Sequence, residues 1–343
     1  MPTTGAGVGF LSERIVHVHL TTNCNLACAH CYSSSGPAAH DTLDAATLVS
    51  GLRALYGEGY QVVSLSGGEP LLYRGLPSVI AELRAIGFRV NLVTNGTVFR
   101  SPAAREAVAM CDFTTVSVDG LAERHDAIRG RSGAFRRTEL GLGWLADTGH
   151  PFGVTCTVTS SSMSDVPDVY DWAVWRGARL LNLRPLALVG RAAHELADDG
   201  LSPEDMSRLF VLANVLDQER DPMRVRTDAA PVGLVQAAWS SAFPVAPGIT
   251  AGWLLSDLVN PLIVTEVGRL FPYAYGVGGG FGLGSIAAAD QAADALRSSG
   301  AESVHRLLNA ARGRLPSHGC IDWHGHLTHV SLQLPDRVPA GAI

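Results

Sequence analysis

The stretch TTNCNLACAHCY, residues 21–32, decides how this sequence is interpreted. Its three cysteines, Cys24, Cys28 and Cys31, have the spacing C-x3-C-x2-C. Three thiolates on one short loop can bind three irons of a cubane and leave the fourth iron open for an exogenous ligand. A structural zinc site is the alternative, but it needs four protein ligands, and His30 is awkwardly placed between two of the cysteines. The spacing therefore predicts one 4Fe–4S cluster.

Composition indicates a folded protein that is not exported. The chain has 343 residues, of which 47% are hydrophobic and 17% charged, enough for a large core and for about two domains or one barrel with an appendage. The N-terminus lacks the features of a signal peptide, so we expect a cytoplasmic location and no disulfide framework. Because the net charge is −6 and no dense basic run is present, we expect no nucleic-acid partner.

One uncharged stretch, residues 229–256, is long enough to cross a bilayer. It contains three prolines, three glycines and several polar side chains, which suit a buried loop and a short helix better than a membrane span. We therefore expect no membrane association.

Apolar, β-rich runs alternate with amphipathic helical patterns from Arg14 to about Leu188. This alternation predicts an α/β fold, a partial (β/α)6 barrel of parallel strands, with chemistry at the carboxyl ends of the strands. The predicted strands are 14–20, 61–66, 88–94, 113–118, 152–159 and 179–184, and the helices lie near 43–57, 75–86, 102–110, 136–147 and 166–176.

After Gly190 the regular alternation of apolar runs and helical patterns changes, which predicts a smaller C-terminal domain. A helix begins at the Ser202 cap and runs to about Glu219, and a strand pair near 261–272 turns at Val267 and Gly268. A glycine-rich loop and a terminal helix at about 287–313 follow. We expect an N-terminal extension over residues 1–13, the barrel over 14–200 and the C-terminal domain over 201–343.

Further motifs directly follow the predicted strands. They are Gly67-Gly68-Glu69-Pro70, Thr94-Asn95-Gly96, Ser117-Val118-Asp119-Gly120 and His125-Asp126-x-x-Arg129-Gly130. Taken singly, each has an ordinary alternative, because Asn-Gly and Asp-Gly are common turns and Arg129 alone would suit a surface position.

Together with the cysteine loop, these motifs resemble the radical S-adenosylmethionine superfamily over about residues 14–192. The His-Cys-Tyr ending of the loop is similar to the subgroup that modifies peptides and anaerobic sulfatases. The resemblance implies one 4Fe–4S cluster on Cys24, Cys28 and Cys31, with S-adenosylmethionine as the second cofactor. It also implies the cofactor-binding residues: Gly67, Gly68 and Glu69 at the methionine amino group, Arg129 at its carboxylate, Ser117 and Asp119 at the ribose, Tyr32 on the adenine, and Thr94 beside them.

The segment from Pro261 to Pro272 resembles the opening of the SPASM or twitch domain that follows many such barrels. Members of that family usually have a cysteine next, as a ligand of an auxiliary cluster, whereas this chain has Tyr273. Only Cys320 lies downstream, so we expect a SPASM-like domain without an auxiliary cluster. The candidates for catalytic roles are Tyr273, Tyr275 and Cys320, with Cys320 or Cys156 as a hydrogen donor in a redox-neutral reaction.

Two further features of the C-terminal region bear on the site. The segment GCIDWHGHLTHV, residues 319–330, alternates like a half-exposed strand and is a weak candidate for a mononuclear metal site. The low-charge segments 229–256 and 273–289 are expected to line the barrel mouth with aromatic side chains. These aromatic residues are Trp239, Phe243, Trp253, Tyr273 and Tyr275.

The resemblance implies an enzyme that cleaves S-adenosylmethionine to a 5′-deoxyadenosyl radical and abstracts hydrogen from a ribosomally made peptide. The product would be a cross-link or a related modification. A small metabolite of a natural-product pathway is the alternative substrate, and a non-catalytic iron–sulfur protein is disfavoured by Glu69 and Arg129. Because Cys24 comes early, we expect peptide capture by a separate leader-binding protein or by the barrel mouth. A flavodoxin or ferredoxin would supply electrons.

Overall fold

The computed structural model describes residues 13–219, 223–242, 253–299 and 301–335. Strands and helices alternate through the first half of this part of the chain, as the sequence predicts. The strands are β1 (Ile15–His19), β2 (Val62–Ser66), β3 (Arg89–Thr94), β4 (Phe113–Ser117), β5 (Phe152–Val158), β6 (Leu180–Pro185), β7 (Arg224–Thr227), β8 (Ala229–Pro231), β9 (Leu262–Val264), β10 (Arg269–Pro272), β11 (Gly284–Ser285) and β12 (Cys320–Asp322).

The helices include five that the sequence predicts between the first six strands and one, α4, that it does not. They are α1 (Ala45–Gly57), α2 (Leu76–Ile86), α3 (Pro102–Ala109), α4 (Ala122–Arg129), α5 (Ala134–Asp147), α6 (Val166–Trp175), α7 (Ala192–Glu195), α8 (Pro203–Glu219), α9 (Val232–Ala242), α10 (Leu255–Leu258), α11 (Ala289–Ser298), α12 (Glu302–Gly313) and α13 (Trp323–Gln333).

In the described part of the chain, ten strands form one sheet in the order β11-β10-β9-β1-β2-β3-β4-β5-β6-β7. The strands from β9 through β1 to β7 pair in parallel, and β10 and β11 are antiparallel additions. The predicted partial α/β barrel is therefore confirmed. The sheet is wider than predicted, because β7 and β9 extend it on both sides.

Alternation along each strand sets which side chains face the barrel interior. In β1, Val16 and Val18 are fully buried against the helical layer, so His17 and His19 lie on the opposite, inner face. Asp44 begins α1 as its N-cap, because its carboxylate accepts a hydrogen bond from the Thr47 backbone N–H at 2.8 Å. The inner face therefore holds polar groups, while the apolar core lies between sheet and helices.

The C-terminal region contributes to the barrel as well as packing beside it. Strand β9 pairs with β1, and β8, which directly follows β7, pairs with β12. Helix α13 then reaches the segment after β10: the Gly278 N–H donates to Ser331 Oγ at 2.9 Å, and His324 Nδ1 lies 3.2 Å from the Tyr273 carbonyl oxygen. Elements after β7 thus connect the two sides of the open sheet. The division into domains at residue 200 stays a prediction.

Several C-terminal expectations are corrected. The strand-like alternation of residues 319–330 forms a strand only over β12, because Asp322 then caps helix α13 by accepting from the His324 N–H at 3.0 Å. The terminal helix predicted over 287–313 is two helices, α11 and α12. The predicted strand pair turning near Gly268 is confirmed as β9 and β10. Among the helices described, none is long and apolar enough to span a membrane.

Candidate active site

The three cysteines lie on the loop that leaves β1 at the carboxyl end of the strands. Cys24 and Cys28 are buried and Cys31 is half-buried. The loop is fixed by backbone hydrogen bonds, from Cys24 N–H to the Gly36 carbonyl at 3.2 Å and from Ala29 N–H to the Ile128 carbonyl at 2.8 Å. The sequence therefore folds into a loop that holds three thiols in one protected place.

The surroundings of these thiols suit an iron–sulfur cluster. Burial raises the pKa of Cys24 to about 12 and also raises the pKa of Cys28, so the thiolates need positive charge to form. The Asn95 Nδ2 lies 3.8 Å from Cys24 Sγ and the Arg129 Nη1 lies 3.8 Å from Cys28 Sγ, as donors to sulfur. Iron would supply the remaining charge, and these N–H groups would stabilise the bound thiolates.

A single metal ion suits this loop less well than a cluster does. Within the described ranges, no group of three or more His, Cys, Asp or Glu side chains could hold a metal ion. In a cubane each of the three cysteines binds a different iron, so their sulfurs need not converge on one point. Residues 319–330, the weak candidate for a mononuclear metal site, therefore contain no such metal-binding group either.

Glu69 joins the ends of β2 and β3 beneath the cysteine loop. Its side chain is fully buried (0% exposed), and burial raises its pKa. Its Oε1 accepts from Thr94 Oγ at 2.7 Å and from Leu71 N–H at 3.1 Å, while its Oε2 accepts from Asn95 N–H at 2.8 Å. A carboxylate offers about four acceptor positions, so about one is left for a ligand ammonium group.

Gly67 and Gly68 allow this turn to lie directly against the cysteine loop. A Cβ on Gly68 would be 2.3 Å from the Asn23 carbonyl oxygen, and Gly67 has a φ of +130°. The Gly68 N–H donates to the Thr21 carbonyl at 2.6 Å. Any larger residue at Gly68 would displace the start of the loop, so both glycines position the site through the backbone.

Asp119, at the end of β4, is the centre of a buried ionic network. Its Oδ2 accepts from His30 Nε2 at 2.8 Å and from Arg129 Nη2 at 2.5 Å, and its Oδ1 accepts from the Thr157 N–H at 2.9 Å. Burial opposes ionisation, but Arg129 and His30 outweigh it and lower the pKa of Asp119 well below its usual range. Asp119 therefore orients Arg129, and its expected contact with the ribose stays a prediction.

Arg129 connects this network to the cluster ligands. It is buried, its Nη1 contacts Cys28 and its Nη2 contacts Asp119, and its Nε has no hydrogen-bond partner among the described residues. A buried guanidinium N–H without a partner is costly, so a ligand acceptor there would be favourable. The expected contact of Arg129 with the methionine carboxylate is compatible with this free donor.

An aromatic group lies beside the loop at the barrel mouth and consists of His19, Tyr32 and Tyr275. The His19 ring centroid is 4.4 Å from that of Tyr275 and 5.5 Å from that of Tyr32, and the two tyrosine rings are 5.2 Å apart. Tyr32 is 38% exposed, and Tyr275 donates to Glu266 Oε2 at 3.2 Å. Burial lowers the pKa of His19 to about 3, so this imidazole is neutral. The C-terminal region thus contributes to the mouth.

The other predicted catalytic candidates lie elsewhere. Tyr273 is buried, has a φ of +68° and donates to the Leu258 carbonyl at 2.8 Å, so its hydroxyl is used within the fold. Cys320 lies on β12, opposite Pro231 in a two-stranded sheet. Trp239 packs against Trp323, with ring centroids 5.2 Å apart, as a core residue does. Phe243 lies outside the described residues, and Ser117 is half-buried on β4.

Sequence reasoning missed several groups that complete the site. Asn95 and His30 were visible within quoted motifs, but nothing in the sequence indicated that they reach Cys24 and Asp119. His19 had a signal, since two histidines share one face of an otherwise apolar strand. Arg191 belongs to no motif, yet its guanidinium donates to the carbonyl oxygens of Cys28 and Ser35.

A loop of three cysteines after the first strand of a partial α/β barrel, with Glu69 and Arg129 beside it, is the arrangement that the sequence analysis expects of a radical S-adenosylmethionine domain. Residues 18–173 match the model of the Radical SAM superfamily, so this part of the chain belongs to that superfamily. Its cofactors are a 4Fe–4S cluster and S-adenosylmethionine.

Comparisons with individual proteins agree with this class. The chain is 25% identical to the sporulation killing factor maturation protein SkfB of Bacillus subtilis (strain 168), over 65% of this chain and 56% of that protein. It is 33% identical to the AdoMet-dependent heme synthase of Methanosarcina barkeri (strain Fusaro / DSM 804), over 58% of this chain and 57% of that protein. The chain thus spans little more than half the length of these relatives.

The solved structure of Streptococcus suis SuiB bound to precursor peptide SuiA is similar in fold. Its TM-score is 0.59 at 14% identity, covering 76% of this chain and 59% of that chain. At this identity the likeness is one of fold alone.

Proposed function

We propose that this chain abstracts hydrogen from a ribosomally made peptide and forms a cross-link or a related modification in it. The observation that supports this most directly is the aromatic group of His19, Tyr32 and Tyr275 beside the cysteine loop. These rings offer an apolar surface where the barrel opens, next to the half-buried Cys31, and an apolar or aromatic peptide side chain would pack there. The similarity to the maturation protein SkfB points in the same direction.

The bound cofactors would supply a 5′-deoxyadenosyl radical from reductively cleaved S-adenosylmethionine, and the chain's own residues would hold and shield the reactants. Cys24, Cys28 and Cys31 would bind the cluster. Glu69 would accept the methionine ammonium group at its remaining acceptor position, supported by Thr94 through their hydrogen bond.

The remaining roles are also proposals. Arg129, already held by Asp119, would donate to the methionine carboxylate. Ser117 would contact the ribose, and Tyr32 would pack on the adenine. The neutral His19 and the Tyr275–Glu266 pair would shape the substrate side of the mouth.

A small metabolite is the second candidate substrate, and the similarity to an AdoMet-dependent heme synthase at 33% identity favours it. A tetrapyrrole would also suit an aromatic mouth. The two substrate classes can be separated by which added compound increases the formation of 5′-deoxyadenosine. A true substrate loses hydrogen to the radical, so product forms together with 5′-deoxyadenosine.

The deciding experiment adds synthetic peptides, matching any short reading frames found next to this gene, to the reconstituted enzyme under anaerobic conditions. We expect peptide-dependent formation of 5′-deoxyadenosine and a matching mass change in the peptide. A separate leader-binding protein, if encoded nearby, is added in a parallel reaction. Stimulation by porphyrins or other metabolites and none by peptides would replace the first proposal by the second. The Cys24→Ala variant is the inactive control.

A further inference from the structure

The inner face of the barrel sheet carries polar side chains that water reaches. On β6, Leu181 and Leu183 are fully buried, so Asn182 and Arg184 lie on the opposite, inner face. Asn182 is half-buried there and Arg184 is exposed. The neighbouring inner-face residues on β4 and β5 are half-buried as well, namely Ser117, Thr155 and Thr157. This part of the sheet therefore borders a polar chamber that is open to solvent, which we call the inner chamber.

Arg184 is held in the inner chamber from one side. Its Nε lies 2.8 Å from Asp228 Oδ2, and this carboxylate raises the pKa of Arg184, so the guanidinium is charged. Asp228 directly follows β7, and the register explains the contact, because Leu183 pairs with Thr227. The Arg184 side chain is 49% exposed, and its two Nη groups have no hydrogen-bond partner among the described residues. The planar end of the guanidinium is therefore available to a ligand.

A second carboxyl group lies near this ion pair and is engaged elsewhere. Asp322 pairs in β12 with Ala229, the residue after Asp228. Its Oδ1 accepts from the His324 N–H at 3.0 Å as the N-cap of α13. Burial raises the pKa of Asp322, and the charge of Asp228 raises it further. Asp322 thus serves the start of a helix, and one carboxylate, Asp228, pairs with Arg184.

Arg184 lies between the aromatic group and the cofactor network. Burial lowers the pKa of His17 to about 4 and raises that of Tyr32 to about 12, and the charge of Arg184 acts to lower both. Both side chains are therefore within its electrostatic reach. On the other side, Arg184 pairs in register with Thr157, whose N–H donates to Asp119 at 2.9 Å. A ligand packed on the aromatic group would thus have Arg184 beside it.

We propose that Arg184, positioned by Asp228, binds a carboxylate of the substrate and makes the inner chamber selective for an acidic substrate. The ion pair uses one of the five N–H donors of a guanidinium, and the two Nη groups match the two oxygens of a carboxylate. The inference rests on the proposed function, in which the substrate is a peptide. The carboxylate is then an acidic side chain next to the residue that packs on the aromatic group. In a small metabolite it would be a propionate or a similar group.

Paired peptide probes measure this selectivity directly. The probes are acetyl-Gly-Phe-Glu-Phe-Gly-amide and its Gln counterpart, whose blocked ends leave the Glu side chain as the only carboxylate. We expect the reconstituted enzyme, loaded with S-adenosylmethionine, to bind the Glu probe at least about tenfold more tightly in calorimetry, because hydrogen bonds between two charged groups are stronger than neutral ones. The Arg184→Gln variant should bind both probes equally.

Further variants separate recognition from folding. Arg184→Gln/Asp228→Asn removes both charges of the ion pair, so neither is left without its partner, and it should also lose the preference for Glu. Arg184→Lys keeps the charge without the two-donor fork and should retain part of the preference. Arg179→Gln is the matched control, because Arg179 is exposed directly before β6, at the opposite end of that strand. It should keep the full preference. Circular dichroism checks the fold of each variant.

A second pair of probes, a propionate-bearing porphyrin and its methyl ester, represents a metabolite carboxylate. Equal binding within both pairs by the parent enzyme would overturn the proposal, as would an Arg184→Gln variant that keeps the preference or an Arg179→Gln variant that loses it equally. A preference for the free porphyrin acid that depends on Arg184, with none between the peptides, would support the role of Arg184 and count against the peptide substrate. Because the probes need not react, a failed peptide-modification assay would leave the result for Arg184 unchanged.

Discussion

Arg191 donates a hydrogen bond from Nη1 to the carbonyl oxygen of Cys28, which lies 163 positions earlier in the chain, at 2.6 Å. Its Nη2 donates to the Ser35 carbonyl at 2.8 Å, and its backbone N–H donates to the Cys31 carbonyl at 2.9 Å. One residue after β6 thus fixes the backbone at two predicted cluster ligands. The loop geometry depends on the partial barrel as well as on its own sequence.

Arg191→Gln should loosen this loop. We expect a loss of about 2–3 kcal/mol in the free energy of unfolding, because charged hydrogen bonds to buried carbonyls are lost, and faster release of iron on exposure to a chelator. Denaturant unfolding and iron assays measure the two effects. Arg208→Gln on the exposed face of α8 is the control and should cost less than about 1 kcal/mol. Equal effects of the two substitutions would contradict the interpretation.

Asp119→Asn should be strongly destabilising. It leaves the buried Arg129 guanidinium without its ionic partner, which typically costs about 3–5 kcal/mol. S-adenosylmethionine binding, measured by calorimetry on the reconstituted enzyme, should weaken as Arg129 loses its orientation. The exposed Asp171→Asn serves as the control and should change stability by no more than about 0.5 kcal/mol. A near-neutral Asp119→Asn would show that Arg129 is held by other groups.

The stability of the protein should fall as the pH is lowered from about 6.5 towards 4. Burial lowers the pKa values of His17 to about 4, His19 to about 3 and His125 to about 4, so the unfolded chain binds protons in this window while the folded chain does not. The free energy of unfolding therefore rises with pH across the window. His19→Phe should reduce the slope of the unfolding free energy against pH by the amount that corresponds to about one proton. Denaturant unfolding at several pH values measures this slope. An unchanged slope would mean that His19 does not titrate in this way.

Tyr275 and Tyr273 should respond differently to loss of the hydroxyl group. Tyr275→Phe removes the bond to Glu266 at the barrel mouth, so we expect less substrate modification with uncoupled 5′-deoxyadenosine formation retained. Tyr273→Phe removes a buried hydrogen bond to the Leu258 carbonyl and should lower the free energy of unfolding by about 1 kcal/mol. The ratio of modified substrate to 5′-deoxyadenosine should not change. Product and 5′-deoxyadenosine are quantified in the same reactions. The reverse pattern would place Tyr273 at the substrate.

The sequence alone determined the elements whose signals are local. The cysteine spacing, the six first strands and the glycine-rich turn before Glu69 depend on a few neighbouring residues, because period-two burial and turn chemistry act over short distances. The strand pair near 261–272 is also predicted by the sequence, since β9 is a short apolar run before a turn. Its place beside β1 was not visible, because pairing between strands more than two hundred residues apart leaves no periodic pattern.

Only the tertiary structure decided which groups meet. Within the alternating segment 319–330, the residues from Trp323 onward form helix α13, because Asp322 caps it and α13 packs on the segment after β10, which overrides a weak local preference. Asp119 binds Arg129, His30 and the Thr157 backbone because three strand ends converge at one edge of the sheet. Arg191 reaches the cysteine loop for the same reason: the curved parallel sheet of a partial barrel brings the carboxyl ends of distant strands together, and those contacts are set by strand order and pairing.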